Sequence, residues 1–246
     1  GVGFTIYSLM RCTASRMRHQ DRQACAARVR RGGQQQSPGR FIQAACATFW
    51  GWMFSAMAWR LFDGLYYIAH RKNLGSILAR GILSHNEVVR QGIARVDISD
   101  PGAQRWRRRC EPVFGRSIHD YVPLYLNPRN PMLFKRHKMQ ADLVILAVST
   151  DAVRGGDRLF SDGNAASRVT RFSDNSDILR NAIEVLRADR WCDFEDGGRR
   201  RCAEALVLAR VSPMHIRQVL CSSLTGAEFV RRAHPVAARL DRDFFF

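Results

Sequence analysis

The strongly apolar segments of this 246-residue chain are short, and their shortness limits the folds that it can adopt. Segments 122–126, 143–148 and 203–209 consist mainly of Val, Leu, Ile, Ala and Tyr and have the length of single β-strands. Helical periodicity is brief and occurs near residues 177–186 and after Asn73, the expected cap of a short helix. The sequence lacks the repeated strand, long helix and strand of a doubly wound parallel sheet. The pattern therefore predicts an α+β fold.

The amino-terminal quarter of the chain differs in composition from the rest. Residues 1–40 are rich in Arg, Gln, Ala and Gly and have no sustained apolar period, which predicts disorder. The segment 41–59 is uncharged and nearly as long as the roughly 20 residues of a membrane helix. The segment contains Gln43, Thr48, Gly51 and Ser55, and these polar and small residues argue against a membrane helix. We expect no membrane contact, a disordered or upstream-translated extension over 1–60, and a folded domain over 61–246.

A large excess of basic residues narrows the class of partner. The chain has 39 Lys and Arg against 22 Asp and Glu, which gives a net charge of +17 at pH 7. Such a charge favours polyanions, because neutralising their phosphates releases condensed counterions. The seven cysteines are scattered and include no CxxC pair. We therefore expect neither a zinc site nor a disulfide framework, and we expect a reducing, cytoplasmic location.

The densest group of candidate functional residues is the segment 119–133, with the sequence HDYVPLYLNPRNPML. It begins as a predicted strand, and its prolines stiffen the loop that contains Arg129. Tyrosines such as Tyr125 can stack on a flat ring, and Arg129 can bind an anion. The same pattern also fits a tyrosine-lined core strand that ends in a structural turn. The residues alone leave both interpretations open.

Charged residues in two further segments are also candidates. Glu204 begins an otherwise apolar strand, where a buried carboxylate is costly unless it has partners. The alternative is an exposed strand end that pairs with the arginines at 199–201. The segment 105–109 is almost entirely arginine and is typical of a solvated basic face that holds phosphates. His70 and His119 are candidate ligand contacts, although single histidines are more often structural.

The segment 119–133 resembles the hallmark segment of the DarT family, in which a His-Asp-Tyr-Val-Pro strand leads into a Pro-Arg-x-Pro-Met-Leu loop. Other segments agree with the family in the same order. They are the opening strand and helix at 67–81, the middle loop at 161–172, the basic strand with its glutamate at 199–207, and the aromatic residues at 243–246. The resemblance covers about residues 65–246.

The resemblance implies an ADP-ribosyltransferase fold, with two small antiparallel sheets packed as a split sandwich, flanking helices, and NAD in the cleft between the sheets. It implies that NAD is a cosubstrate, that no metal takes part, and that ADP-ribose is attached to a base, usually thymine, in single-stranded DNA. Members of the family are toxins whose partner is a macrodomain antitoxin. Guanine as the acceptor, transfer to protein or RNA, and a non-catalytic nucleic-acid-binding domain remain as alternatives.

The resemblance also assigns roles to individual residues. Glu204 matches the glutamate that binds the 2′-hydroxyl of the nicotinamide ribose and stabilises the positive charge that develops there. Placing Gln104 on the family's Gln-x-x-Arg pattern makes Arg107 the catalytic arginine, whereas counting back from His119 points nearer to Arg105. The expected NAD contacts are Tyr67, which replaces a histidine of many relatives, together with His70, Asn73, His119 and Tyr125. The expected nucleic-acid contacts are Arg105, Arg129, Arg200 and Arg201.

Overall fold

The computed structural model describes residues 64–246, so the expectations for 1–60 and its apolar stretch 41–59 lie outside the described residues. The strands are β1 Leu65–His70, β2 Ile82–Leu83, β3 Tyr121–Tyr125, β4 Leu143–Val148, β5 Arg158–Ser161, β6 Phe172–Ser173, β7 Glu204–Leu208, β8 Arg210–Val211, β9 Ile216–Cys221 and β10 Ala238–Leu240. The α-helices are α1 Leu74–Arg80, α2 His85–Arg90, α3 Pro101–Arg107, α4 Pro131–Lys135, α5 Ile183–Arg187, α6 Gly197–Arg200 and α7 Leu224–Ala233.

The strands form one large sheet and one small sheet. The large sheet has the order β10-β9-β4-β1-β3-β7-β5-β6, and the small sheet pairs β2 with β8. Neighbouring strands are antiparallel, except that β9 and β10 are parallel. The predicted α+β class is confirmed. The two predicted sheets, however, correspond to two four-stranded halves of one sheet, joined at its centre.

The junction between the halves is narrow. Strand β1 pairs with β4 along its whole length, from Leu65 opposite Val148 to His70 opposite Leu143. Strands β1 and β3, by contrast, meet at the single pair Tyr66 and Tyr125. Beyond this pair the two strands separate, and the sheet is split as expected.

Hydrophobic cores cover both faces of the central strands. Alternate side chains of a strand point to opposite faces, and in β4 Val144 and Leu146 belong to one cluster whereas Leu143 and Ile145 belong to another. A strand buried on both faces reads as a continuous apolar run, as the sequence of β4 does. Within residues 64–246, none of the helices has the length and apolar character needed to cross a membrane.

Side-chain caps fix the starts of two helices that line the cavity described in the next subsection. Asp100 accepts a hydrogen bond from the Ala103 amide at the start of α3, and Pro101 follows as its first residue. Asn130 caps α4 in the same way. The expected side-chain cap by Asn73 is wrong: its side chain instead accepts from the Val96 amide and donates to the Val96 carbonyl. Asn73 therefore ties the chain before α1 to a distant loop.

Candidate active site

A cavity of about 440 Å³ lies beside the junction of the two sheet halves. Its volume is within the range of small-molecule sites, roughly 300–1,000 Å³. It is lined by Tyr67 and Ile68 of β1 and by Tyr121, Pro123 and Tyr125 of β3. Helices α3, α4 and α6 close its other sides. Both halves of the sheet are therefore needed to form it.

Behind the lining lies a buried ion pair. Glu204, the first residue of β7, has no solvent-exposed surface, and its Oε1 accepts a hydrogen bond of 2.5 Å from Nη2 of Arg107. Arg107 is the last residue of α3 and itself lines the cavity. The expected alternative for Glu204, an exposed strand end paired with arginines 199–201, is wrong. Of the arginines at 105–109, Arg107 is the one that contacts Glu204.

The second oxygen of Glu204 has no protein partner. Oε1 also accepts from the Ala165 amide at 3.1 Å, whereas Oε2 is buried without any hydrogen bond. An unsatisfied buried carboxylate oxygen is costly, so it marks a place for a donor that the protein does not supply. A ligand hydroxyl has the required chemistry.

The pair also controls the ionisation of its neighbours. Burial alone would lower the pKa of Arg107, but the adjacent Glu204 carboxylate outweighs burial and the pKa lies above its ordinary value. Burial and the same carboxylate raise the pKa of the Cys202 thiol to about 12 and that of Tyr125 well above its ordinary value. The cavity wall beside Glu204 is therefore neutral at physiological pH, apart from Arg107.

The loop that donates to Glu204 is held from two sides. Arg109 donates to the carbonyl oxygens of Ala165, at 3.1 Å, and of Ser167, at 2.5 Å. On the other side Arg199 forms an ion pair with Asp162 at 2.7 Å. The expectation that the arginines at 105–109 form a solvated basic face is wrong for Arg109, because its guanidinium bonds backbone carbonyls. No pattern in the sequence connects position 109 with positions 165 and 167.

His119 lies in the cavity wall as a neutral ring. Its Nε2 is 2.7 Å from Oε1 of Gln104, and its ring stacks on His85 with centroids 4.2 Å apart. Burial, then the nearby His85 and Arg107, lower the pKa of His119 to about 4. Because an amide oxygen only accepts, the neutral ring donates from Nε2. The sequence reasoning missed His85, which has no distinguishing motif.

The other expected NAD contacts are divided between the cavity and its surroundings. Tyr67 and Tyr125 line the cavity together with His119. His70 does not line it: it is buried at the end of β1, where Nδ1 accepts from the Lys72 amide. Asn73 lines a separate cavity of about 50 Å³. The structure thus brings three of these residues together with Arg107.

The four arginines expected to contact nucleic acid differ in exposure. Arg105 is exposed on α3. Arg129 donates to the Asp243 carbonyl and lies over the Phe246 ring, and Arg200 donates to the Asn181 carbonyl.

Arg201, which was expected to contact nucleic acid, is too buried to do so. It is only 2% exposed, and its guanidinium donates to the backbone carbonyls of Arg129, Val185, Leu186 and Ala188. These bonds fasten the loop before α4 to the end of α5, so Arg201 has a structural role. Among residues 64–246, no group of three His, Cys, Asp or Glu side chains is placed to hold a metal ion.

Comparison with known proteins identifies the family. The family described as "ssDNA thymidine ADP-ribosyltransferase, DarT" matches residues 66–243. A DNA ADP-ribosyl transferase-DNA ADP-ribosyl glycohydrolase fusion protein of Thermosipho africanus is 36% identical over 194 residues, which cover 75% of this chain and 50% of the relative. A DNA ADP-ribosyl transferase of Thermus aquaticus is 40% identical over 157 residues, which cover 58% of this chain and 68% of the relative.

Solved structures agree with this result. Thermosipho africanus DarTG in complex with ADP-ribose matches with a TM-score of 0.69 and 34% identity, over 75% of this chain and 51% of that chain. Thermus sp. 2.9 DarT in complex with ADP-ribosylated ssDNA matches in fold, with a TM-score of 0.67, 23% identity, and coverage of 74% of this chain and 95% of that chain. The chain spans about half the length of the Thermosipho relative. From the extent of the family match, the chain belongs to the DarT family.

Proposed function

We propose that this protein is an NAD-dependent ADP-ribosyltransferase that modifies a base, thymine, in single-stranded DNA. The observation that carries the proposal is the buried Arg107–Glu204 pair, whose free Oε2 lies behind the wall of the cavity. Family membership supports the same chemistry. The Thermus sp. 2.9 structures in complex with NAD+ and with ADP-ribosylated ssDNA support the two substrates, because this chain shares their fold.

The cavity has the chemical character that NAD requires. Tyr67, Tyr121 and Tyr125 offer aromatic surface to flat rings, and Arg95 and Lys135 offer positive charge to a diphosphate. Glu204 offers an acceptor to a ribose hydroxyl. The tyrosines stand on both halves of the sheet, so a molecule with two rings and a central diphosphate can contact them together with Arg95 and Lys135.

Glu204 provides the electrostatic part of the proposed reaction. NAD supplies the ADP-ribosyl group and a nicotinamide that leaves with the electron pair of its glycosidic bond. A fixed carboxylate stabilises the positive charge that develops on the ribose, and a low-dielectric surrounding strengthens this effect. Arg107 and the Ala165 amide hold Oε1, which orients the carboxylate. The acceptor base forms the new bond to the ribose carbon and loses its proton.

The biological setting is part of the same proposal. The Thermosipho relative is named as a fusion of a transferase with a DNA ADP-ribosyl glycohydrolase. We infer that this chain is the toxin of a toxin-antitoxin pair, acts in the cytoplasm, and has a macrodomain antitoxin that removes the modification.

The test compares Glu204→Gln with Glu184→Gln, an exposed glutamate that loses the same charge. Each protein is incubated with NAD and a thymine-containing oligonucleotide, and the products are weighed by mass spectrometry. Loss of the preorganised charge in Glu204→Gln should lower the transfer rate on the order of a hundredfold or more. The control should react like the unmodified protein.

A thermal melt of each variant accompanies the assay, because Glu204→Gln leaves Arg107 buried without its counterion. A variant that unfolds cooperatively and still transfers ADP-ribose at the original rate would remove Glu204 from the mechanism. If the unmodified protein alters no oligonucleotide but modifies protein or RNA, the acceptor in the proposal is wrong.

A further inference from the structure

One surface beside the cavity combines exposed arginines with an exposed aromatic ring. It consists of Arg105, Trp106 and Arg108 on α3 and of Arg168, Val169 and Arg171 on the facing loop, and we name it the Trp106 surface. All six residues are exposed, with Trp106 at 43% and Val169 at 70% of their full areas. Basic side chains combined with an exposed aromatic ring are what sequence-independent binding of a nucleic acid single strand uses.

The positive charge of this surface is not neutralised within the described residues. Among residues 64–246, no carboxylate forms an ion pair with the guanidinium groups of Arg105, Arg108, Arg168 or Arg171, whereas Arg90, Arg116 and Arg180 each have an acidic partner. Burial and then the charges of Arg107 and Arg168 lower the pKa of neighbouring Arg109. Like charges held this close repel one another, and a polyanion relieves the repulsion.

The aromatic ring has a cation stacked on it. The guanidinium carbon of Arg168 lies 4.0 Å from the centroid of the Trp106 ring. A guanidinium is planar, and its second face can stack on a nucleobase while its edge contacts a phosphate. Trp106 therefore presents Arg168 as a flat, charged platform of the kind that receives unpaired bases.

The Trp106 surface is continuous with the cavity. Gln104 and Arg107 lie on the same helix as Trp106 and line the cavity, and Ser167, which precedes Arg168, lines it from the loop. Arg109 bonds the carbonyls of Ala165 and Ser167 and so fixes the loop against α3. A strand that places one base in the cavity would run directly onto this surface.

We infer that the Trp106 surface binds the part of the single strand that adjoins the acceptor base, and that one unpaired base stacks on Arg168 above Trp106. The inference rests on the proposed function and adds the path of the strand. The charge of the Trp106 surface and its stacking platform fit a flexible polyanion with free bases. A duplex offers no free base face to the platform, because its bases are stacked on one another.

The experiment measures binding of a fluorescent thymine-containing oligonucleotide at several salt concentrations and the KM of the transfer reaction for that oligonucleotide. Trp106→Ala should raise both Kd and KM about tenfold, the scale of one lost base stack. Arg168→Gln should weaken binding and reduce the slope of log Kd against log salt by about 0.7. Arg232→Gln, which changes an exposed arginine on α7, should raise neither Kd nor KM to that extent.

Trp106→Phe is the control for a purely structural effect. It keeps an aromatic ring and should therefore retain most of the affinity. A melt of each variant verifies that the protein is folded. Unchanged Kd and KM in Trp106→Ala and Arg168→Gln would overturn the inference while the unmodified protein still transfers ADP-ribose. Absence of any transfer by the unmodified protein would instead overturn the proposed function. Equal losses with the annealed duplex would show phosphate binding without stacking, and this too would overturn the inference.

Discussion

At the scale of single residues, His119 shows how burial keeps one group of the cavity wall neutral. An exposed histidine is half protonated near pH 6.5, but His119 is enclosed beside His85 and close to Arg107, and its pKa falls to about 4. The neutral ring keeps its hydrogen bond to Gln104 throughout the physiological range. A neutral ring at this position adds no charge of its own beside Arg107.

This burial predicts that the fold loses stability in mild acid. The unfolded chain binds a proton at His119 near pH 6.5, whereas the folded chain binds it near pH 4. Between these values the unfolded chain holds the extra proton, so the free energy of unfolding is highest above pH 6.5 and falls progressively as the pH falls toward 4. Urea unfolding at pH 7.5, 6 and 5 measures this loss. His119→Asn should reduce the decline, and a residual decline from His85, whose pKa is also lowered by burial, should remain. Parallel pH profiles for the two proteins would contradict the assignment.

Residue roles could be predicted where a local pattern carries them. Glu204 stands out in an apolar strand because a carboxylate there needs a partner. The resemblance points to Arg107 through its Gln-x-x-Arg pattern and nearer to Arg105 by distance from His119, and Arg107 is the one that pairs with Glu204. The roles of Arg109 and Arg201 could not be predicted, because both bond backbone carbonyls that lie far away in sequence. Backbone acceptors leave no trace in residue identity. Glu111 was missed as well, although its partners are close in sequence: it is buried and accepts from the amides of the loop that follows it and from the Tyr121 hydroxyl.

At the scale of elements, the turn between α1 and β2 depends on one glycine. Gly81 ends α1 with φ +88°, and a Cβ at this position would collide with the Val211 carbonyl oxygen of β8. Gly92 also has a positive φ, +62°, but open space surrounds it. The two glycines therefore differ both in backbone conformation and in the space for a Cβ.

We therefore expect Gly81→Ala to destabilise the protein more than Gly92→Ala. A positive φ costs an alanine about 1–2 kcal/mol at Gly92. Gly81 combines φ +88° with ψ 175°, a region that is essentially confined to glycine and costs other residues on the order of 1–3 kcal/mol, and overpacking adds roughly 1–3 kcal/mol there. Urea unfolding of both variants gives the two free energies. Equal losses would mean that β2 and β8 move apart without cost, and the small sheet would then contribute little to the fold.

The elements differ in how far the sequence predicted them. Strands β3, β4 and β7 follow from apolar runs, since each is buried in the central sheet. The short strands β2, β6 and β8 have two residues each, and pairing across the structure determines them. The sequence does not predict α3 as a helix, because its one inward arginine, Arg107, faces Glu204 and not an apolar core. The inward or outward direction of each arginine followed only from the fold.

At the scale of the whole molecule, we expect NAD to stabilise the entire domain as one unit, because its proposed cavity is lined by both sheet halves. At a free concentration one hundred times its Kd, the ligand should add about 2.7 kcal/mol to the free energy of unfolding. A thermal melt in the absence of DNA measures the shift, and ATP at the same concentration controls for general binding of anions to this basic chain. Two transitions, of which NAD moves only one, would show that the halves unfold independently.

The alternation of the chain between the two halves of the sheet has a consequence for how the protein can be made and dismantled. The chain runs from β1 in one half to β3 in the other, returns to β4, crosses again to β5, β6 and β7, and returns once more to β9. No single cut therefore separates the two halves from each other. During synthesis, β4 lacks its partner β9 until nearly the whole domain has left the ribosome. We therefore expect the cavity to form late in synthesis, and we expect a proteolytic nick to leave no autonomous fragment that retains it.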